Sequence, residues 1–197
     1  MLGFEDEVWW SRVTQPDLAS WAADGVPPRV VEQTVAKKTK RTTAVKALGC
    51  YGLLARWHPV GGPRQEAMWL RFVDGRPVSA VTTQFLAWCC AQVAAQGRRV
   101  LALIWDNASW HLSAEVRTWV RTHNRTVTAT SRGVRLLVGA LPTKSPWLNP
   151  IEPKWVHGKR RIVEPDGLLS AAELEDRVCA AFDCAHAPHL VMPEDVA

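Results

Sequence analysis

Val100-Leu101-Ala102-Leu103-Ile104-Trp105-Asp106-Asn107 is the stretch on which the fold turns. Six apolar residues follow one another without alternation and stop at an acid. A run that short and continuous fits a strand covered on both faces, as in the middle of an α/β sheet. Just before it, Thr82 to Gln96 places Phe85, Leu86, Cys89 and Val93 at helical spacing, and Gly97 stands where a C-terminal cap belongs. Just after it, Ser113 predicts the cap of a second helix, with Glu115 in the first turn and Leu112, Val116, Trp119 and Val120 sharing a face. Val134 to Val138 predicts another short strand.

Farther toward the N-terminus the signals are those of strands. Leu2 to Val8 is a short candidate, and Arg29 to Lys38 and Thr42 to Leu54 are rich in Val and Thr with partial alternation. Met68 to Val73 adds one more before the turn signal Asp74-Gly75, and Lys37, Lys38, Lys40 and Arg41 are placed at a hairpin tip. Toward the C-terminus, Asn149 reads as an N-cap with Pro150 at the first helical position, opening a helix to about Ile162. Ser170-x-x-Glu173 is a capping box for a last helix that turns Leu174, Val178, Ala181 and Phe182 inward. The order predicts an α/β fold: a mixed sheet, an antiparallel three-strand meander followed by parallel strands, flanked by helices.

Bulk properties narrow the class. The chain has 197 residues, enough for one domain with a small appendage, and its 47% hydrophobic content fits a folded core. No apolar run approaches the roughly 20 residues of a membrane span. Glu5, Asp6 and Glu7 stand where a signal peptide carries basic and apolar residues, so the expected location is cytoplasmic. The five cysteines are odd in number and lack C-x-x-C spacing, which fits a reduced compartment where most are small buried hydrophobes. Charge is uneven. Nine Lys/Arg face two acids between Arg29 and Arg71, and eight acids face Arg177 from Glu164 onward. That asymmetry fits either a basic face for a polyanion or plain solvated surface.

Three acidic positions carry potential chemistry. Asp106 ends the most buried strand candidate, where ligands of open α/β sheets gather, although Asp also serves as a turn cap. Glu152 falls at the third position of the predicted helix, aimed outward from a rigid start or simply closing the cap. Alternation puts Asp6 on one face of its strand and Glu5 and Glu7 on the other.

Phe4-Glu5-Asp6-Glu7, then Ile104-Trp105-Asp106-Asn107-Ala108-Ser109-Trp110-His111, then Ser145-Pro146-Trp147-Leu148-Asn149-Pro150-Ile151-Glu152-Pro153-Lys154-Trp155 resemble, in order, the three signature blocks of the DDE transposases, within them the mariner-like branch found in bacterial insertion sequences. The resemblance spans residue 1 to about 163. It implies a ribonuclease-H-like catalytic domain over 1–163, with 164–197 an acidic helical extension packed on it. Asp6, Asp106 and Glu152 become the catalytic and metal-binding residues, holding two Mg²⁺ or Mn²⁺ ions. The implied reaction is cleavage of a DNA strand by water, then attack of a DNA 3′-hydroxyl on the target, without a covalent enzyme intermediate.

The partners implied are double-stranded DNA, as transposon ends and target, and either a second copy of the chain or the DNA-binding half of a transposase. Relatives carry helix-turn-helix segments before the first acidic block; that region is expected to be absent here. Asn107, His111, Lys154, Lys159 and Arg160 are candidate DNA contacts, with His111 alternatively an orienting neighbour of the site. Asp106 and Glu152 lie 46 positions apart, longer than the commonest mariner-like interval, and the surplus is assigned to a loop from Arg125 to Arg132. Two other readings stay open: a catalytically idle truncated transposase that binds DNA or the full-length enzyme as an inhibitor, and a structure-specific nuclease that cuts without joining.

Overall fold

The apolar run Val100–Trp105 is a strand with three other strands on one side of it and one on the other. The structure is a computed structural model that describes residues 1–12, 47–59, 61–162 and 169–193. Its strands are β1 (Leu2–Ser11), β2 (Ala47–Trp57), β3 (Gln65–Val73), β4 (Val100–Trp105) and β5 (Arg135–Ala140). The helices are α1 (Ser79–Ala95), α2 (Ala114–Thr130), α3 (Glu152–Arg161) and α4 (Ala171–Phe182). The sheet order is β3-β2-β1-β4-β5. β1, β2 and β3 form an antiparallel meander, whereas β4 runs parallel to both β1 and β5. This is the mixed sheet with helices on both faces that the element order predicts, in the ribonuclease-H-like arrangement that the resemblance implies. The strand expected at 29–38 and the basic hairpin tip lie outside the described residues.

Each sheet face has its own core. On one, Tyr51, Leu53, Leu101, Leu103 and Trp105 pack with Val81, Phe85, Leu86, Cys89 and Val93 of α1 and Val116 of α2. On the other, Val8, Trp10, Leu48, Leu54, Leu70 and Phe72 pack with Ile151, Trp155, Leu174 and Val178. Each fully buried Leu, Val or Phe contributes roughly 1.5–3 kcal/mol. The three-layer arrangement therefore follows from strands that are apolar on both sides.

Local signals place most boundaries. Gly97 adopts a left-handed φ of 67° at the end of α1, and Ser113 accepts from the Val116 amide at the start of α2. Ser170 and Glu173 close the reciprocal capping box of α4. Two expectations are corrected. Arg125 to Thr130 is helix, part of α2, rather than loop. There Thr126, Thr128 and Thr130 each donate a hydroxyl to the carbonyl four residues back, so the polar side chains cling to the helix.

Asn149 likewise does not cap α3. It is buried, follows a 3₁₀ turn at Pro146–Leu148, and the helix begins at Glu152 with Ile151 before it. The Asn149 side chain instead donates to the backbone carbonyl of Glu5 at 3.0 Å. Its oxygen accepts from the Ile151 amide at 3.5 Å, so the side chain closes the turn before α3 and ties that turn to β1 instead of capping the helix.

Candidate active site

Phe4 and Ile104 are the last paired residues where β1 and β4 run side by side. Two positions beyond them along the chain stand Asp6, still in β1, and Asp106, just past the end of β4. Side-chain alternation along β1 turns Asp6 toward the layer of α3, with Val8 and Trp10, and turns Glu5 and Glu7 toward the opposite layer. Glu152 enters that same α3 layer on the first turn of its helix. Its approach is fixed from behind by Asn149 on the Glu5 carbonyl and by buried Ile151 and Trp155.

Charge couples Glu152 to each aspartate. Burial, then the Glu152 charge, then Glu7 push the Asp6 carboxyl up to about 7. Burial and the Asp106 charge raise Glu152, partly offset by Lys159. Asp106, half exposed, is held below the usual carboxylate range, first by its bond to His111 and also by the Ala108 amide. Both of those bonds fall on Oδ1, at 2.9 Å from His111 Nδ1 and 2.8 Å from the Ala108 amide, so Oδ2 is the oxygen available to a cation.

Asp6 is steered by a feature that no local sequence pattern announces. Trp155 Nε1 donates to Asp6 Oδ2 at 2.9 Å, and the indole reaches that point by lying over Gly52, the β2 residue paired with Asp6. A Cβ at Gly52 would enter the Trp155 ring. The glycine thus makes room for the side chain that orients the acid.

On the opposite face, Glu5, Glu7 and His111 form a buried ionic cluster. The His111 ring stacks on Trp105, with centroids 4.6 Å apart and planes 3° from parallel. Its Nε2 lies 3.2 Å from Glu7 Oε1 and 3.1 Å from Glu5 Oε2, and Trp110 Nε1 donates to the same Glu7 oxygen at 2.8 Å. Burial opposes the imidazolium, but the Glu5 charge and the bonds to Asp106, Glu5 and Glu7 outweigh it and hold His111 protonated well above its ordinary range. Glu5 is pushed up to about 8 by burial and by Glu7, against the His111 charge 3.1 Å from its Oε2. Glu5, Glu7 and His111 are spaced to hold a cation. The protonated imidazole already supplies that charge.

The candidate DNA contacts divide accordingly. His111 is 1% exposed, and its bond to Asp106 fits the alternative of an orienting neighbour better than a DNA contact. Asn107 commits its amide to the Leu141 carbonyl at 2.7 Å and so pins the loop after β5. Lys154 is paired with Glu66, which also binds Arg56 on β2. Lys159 is exposed, with its ammonium 5.9 Å from the Trp10 ring centroid. The Arg160 side chain lies outside the described residues. Trp10 is packed in the core and Trp9 is 44% exposed.

Set beside known proteins, residues 2–174 match the family model described as DDE superfamily endonuclease. The chain belongs to the DDE superfamily endonuclease family. No curated protein sequence matches it. Among solved structures, this DDE endonuclease chain is similar to the Mos1 transposase paired-end complex with the left transposon end, at a TM-score of 0.63 and 15% identity. It is also similar to the Mos1 strand transfer complex, at 0.61 and 16%, and to the Mos1 mariner paired-end complex with Mn, at 0.62 and 14%. In each case the match covers 94% of this chain and 48% of the other, so the DDE endonuclease chain spans about half the length of the structures it matches.

Proposed function

We propose that the chain is the catalytic domain of a mariner-like DNA transposase of the bacterial insertion-sequence branch, cleaving and joining DNA strands with Asp6, Asp106 and Glu152. The observation that carries the proposal is a chain of like-charge couplings through Glu152, at the paired ends of parallel β1 and β4. Asp6 is raised by Glu152, and Glu152 by Asp106, on an otherwise well-packed sheet end. Like charges are costly to gather unless something positive binds among them. The donor set is all oxygen, which suits Mg²⁺ or Mn²⁺. Two such ions would supply Lewis-acid activation of the attacking oxygen and stabilisation of the leaving oxygen of a phosphodiester.

The chain's own residues do the positioning. Trp155 holds one oxygen of Asp6, and His111 with the Ala108 amide holds one oxygen of Asp106. Each acid is therefore presented in one orientation. The Asn149 tie holds the turn before α3, and with it the start of the Glu152 helix, against β1. Lys159 is the proposed phosphate contact beside the site, because its charge is exposed and still reaches Glu152. Double-stranded DNA is the proposed substrate, with a second copy or a separate DNA-binding segment as partner, in the cytoplasm. Among the described residues no helix is long and apolar enough to cross a membrane.

The deciding experiment compares the parent chain with Asp106→Asn in DNA cleavage and strand-transfer assays containing Mg²⁺ or Mn²⁺. Metal-dependent nicking and joining by the parent, reduced to background in the variant, is the expected result. Cleavage without joining favours a structure-specific nuclease. Binding without turnover favours an idle inhibitor of a longer transposase.

A further inference from the structure

A second group of metal-ligating side chains lies on α4 and the segment after it, against β3 and two strands away from β1. Glu175 and Cys179 are four residues apart and share one face of α4. Asp183 then takes a left-handed φ of 52°, which ends the helix and turns the chain back. The Cys184 amide bonds to the Cys179 carbonyl at 3.1 Å, which folds the chain back beside the end of the helix. His186 comes back over the helix with Nδ1 3.3 Å from Glu175 Oε1. The ligand atoms of Glu175, Cys179 and His186 all lie within 4.8 Å of one another.

A layer behind these residues fixes them. His189 Nε2 holds the other Glu175 oxygen at 2.7 Å, and His189 Nδ1 lies 3.3 Å from Asp74 Oδ2 at the end of β3. Arg71 donates to the His189 carbonyl, and Leu190 bridges to the β3 residue Val73 and bonds its amide to the Phe72 carbonyl. Metal ligands are commonly oriented by such outer partners. All five cysteines are free thiols, so nothing covalent occupies the pair.

We propose that Glu175, Cys179 and His186, whose ligand atoms already converge, recruit the nearby Cys184 thiol to form a site for one zinc ion that ties the end of α4 to the β3 edge. Two sulfurs, one imidazole nitrogen and one carboxylate oxygen make a four-ligand set of the kind Zn²⁺ takes in tetrahedral sites. On binding, the two thiols release their protons to solvent and the carboxylate and imidazole give up their mutual contact. The set is softer than the all-oxygen carboxylate site, so the two sites select different metals. The ligand spacing, Cys-x₄-Cys-x-His, lies outside the C-x-x-C pattern, and the Glu175 ligand precedes it by one helical turn.

The test uses the full chain, purified reduced with a non-thiol reductant and stripped of metal, then titrated with Co²⁺ and Zn²⁺. Expected is one tight Co²⁺ per chain with tetrahedral d–d absorption and a thiolate-to-cobalt charge-transfer band, both displaced by Zn²⁺. The spectrum persists in Asp6→Asn/Asp106→Asn, whereas the charge-transfer band weakens in Cys184→Ser and is lost in Cys179→Ser/Cys184→Ser. His189→Ala, which removes only the outer hold on Glu175, weakens affinity about 10–100-fold. Circular dichroism checks that each variant folds, and the parent alone gives a second reading, a thermal midpoint that rises with Zn²⁺. No thiolate band, a band unchanged in Cys184→Ser, uptake abolished by the aspartate variants, or an unmoved parent midpoint overturns the proposal.

Discussion

Replacing Asp6 by Asn should make the metal-free protein more stable, and by an amount that depends on pH. The Asp6 carboxyl is raised from 3.8 to about 7 because burial and Glu152 oppose its charge. The folded state therefore holds this proton more tightly than the unfolded chain does. The contribution of Asp6 is fully favourable below pH 3.8, is eroded as pH rises, and is lost above about pH 7. At roughly 1.4 kcal/mol per pH unit, the full penalty approaches about 4 kcal/mol at pH 8 and is about half that at pH 5.

Asn avoids the penalty and keeps an oxygen for Trp155, so a gain of about 2–4 kcal/mol at pH 8 is expected, vanishing below pH 4. With a urea dependence near 2 kcal/mol per M, the midpoint moves by about 1–2 M. The assay is urea unfolding of both proteins in chelator at pH 4, 5 and 8, repeated with Mg²⁺. The ion should stabilise the parent and leave the variant unchanged. A difference between the two proteins that is the same at pH 4 and pH 8, or a variant less stable at pH 8, would refute the reasoning.

Gly52→Ala should cost about 1–3 kcal/mol, because its Cβ enters the Trp155 ring, and should lower nuclease activity by displacing Trp155 from Asp6; urea unfolding and cleavage rates measure the two effects. His111→Ala should cost about 3–5 kcal/mol at pH 8, since it leaves buried Glu5 and Glu7 without their cation, and less at pH 5, where Glu5 is protonated; thermal unfolding across pH checks the trend. Lys159→Ala should reduce the slope of log affinity for double-stranded DNA against log salt by about 1, as read by fluorescence anisotropy. Ser170→Ala should cost about 1 kcal/mol through the α4 cap and leave DNA cleavage unchanged, which separates stability from function.

How far the sequence reveals the molecule depends on whether the signal is local. The β4 run, the Ser113 and Ser170 caps and the facing of Asp6 away from Glu5 and Glu7 are local patterns of period or capping, and the structure has them. Asn149 misleads because its capping preference is local while its NH2 group donates to a carbonyl 144 residues away on β1. The threonines near the end of α2 mislead because polar composition resembles a loop, yet each hydroxyl is satisfied by the helix itself. His111 lies five residues past Asp106 in a turn, and nothing local shows that it swings back onto Trp105 and two strand carboxylates. Gly52 and Trp155 become meaningful only through strand register. The glycine within an apolar strand was the available hint, since such a residue often marks close approach of another group.

The short run Glu5-Asp6-Glu7 carries a further consequence. Successive carboxylates on one extended backbone belong to two separate compartments, one closed by an imidazolium and the other opening onto the acids of β4 and α3. Because the compartments interleave along the strand, they are protected differently against change. A substitution at one position damages one compartment and spares its neighbour. An inserted or deleted residue upstream would turn every member around, delivering Glu5 or Glu7 to the catalytic end and Asp6 to the histidine. Evolution can therefore edit the letters of this strand far more freely than its length.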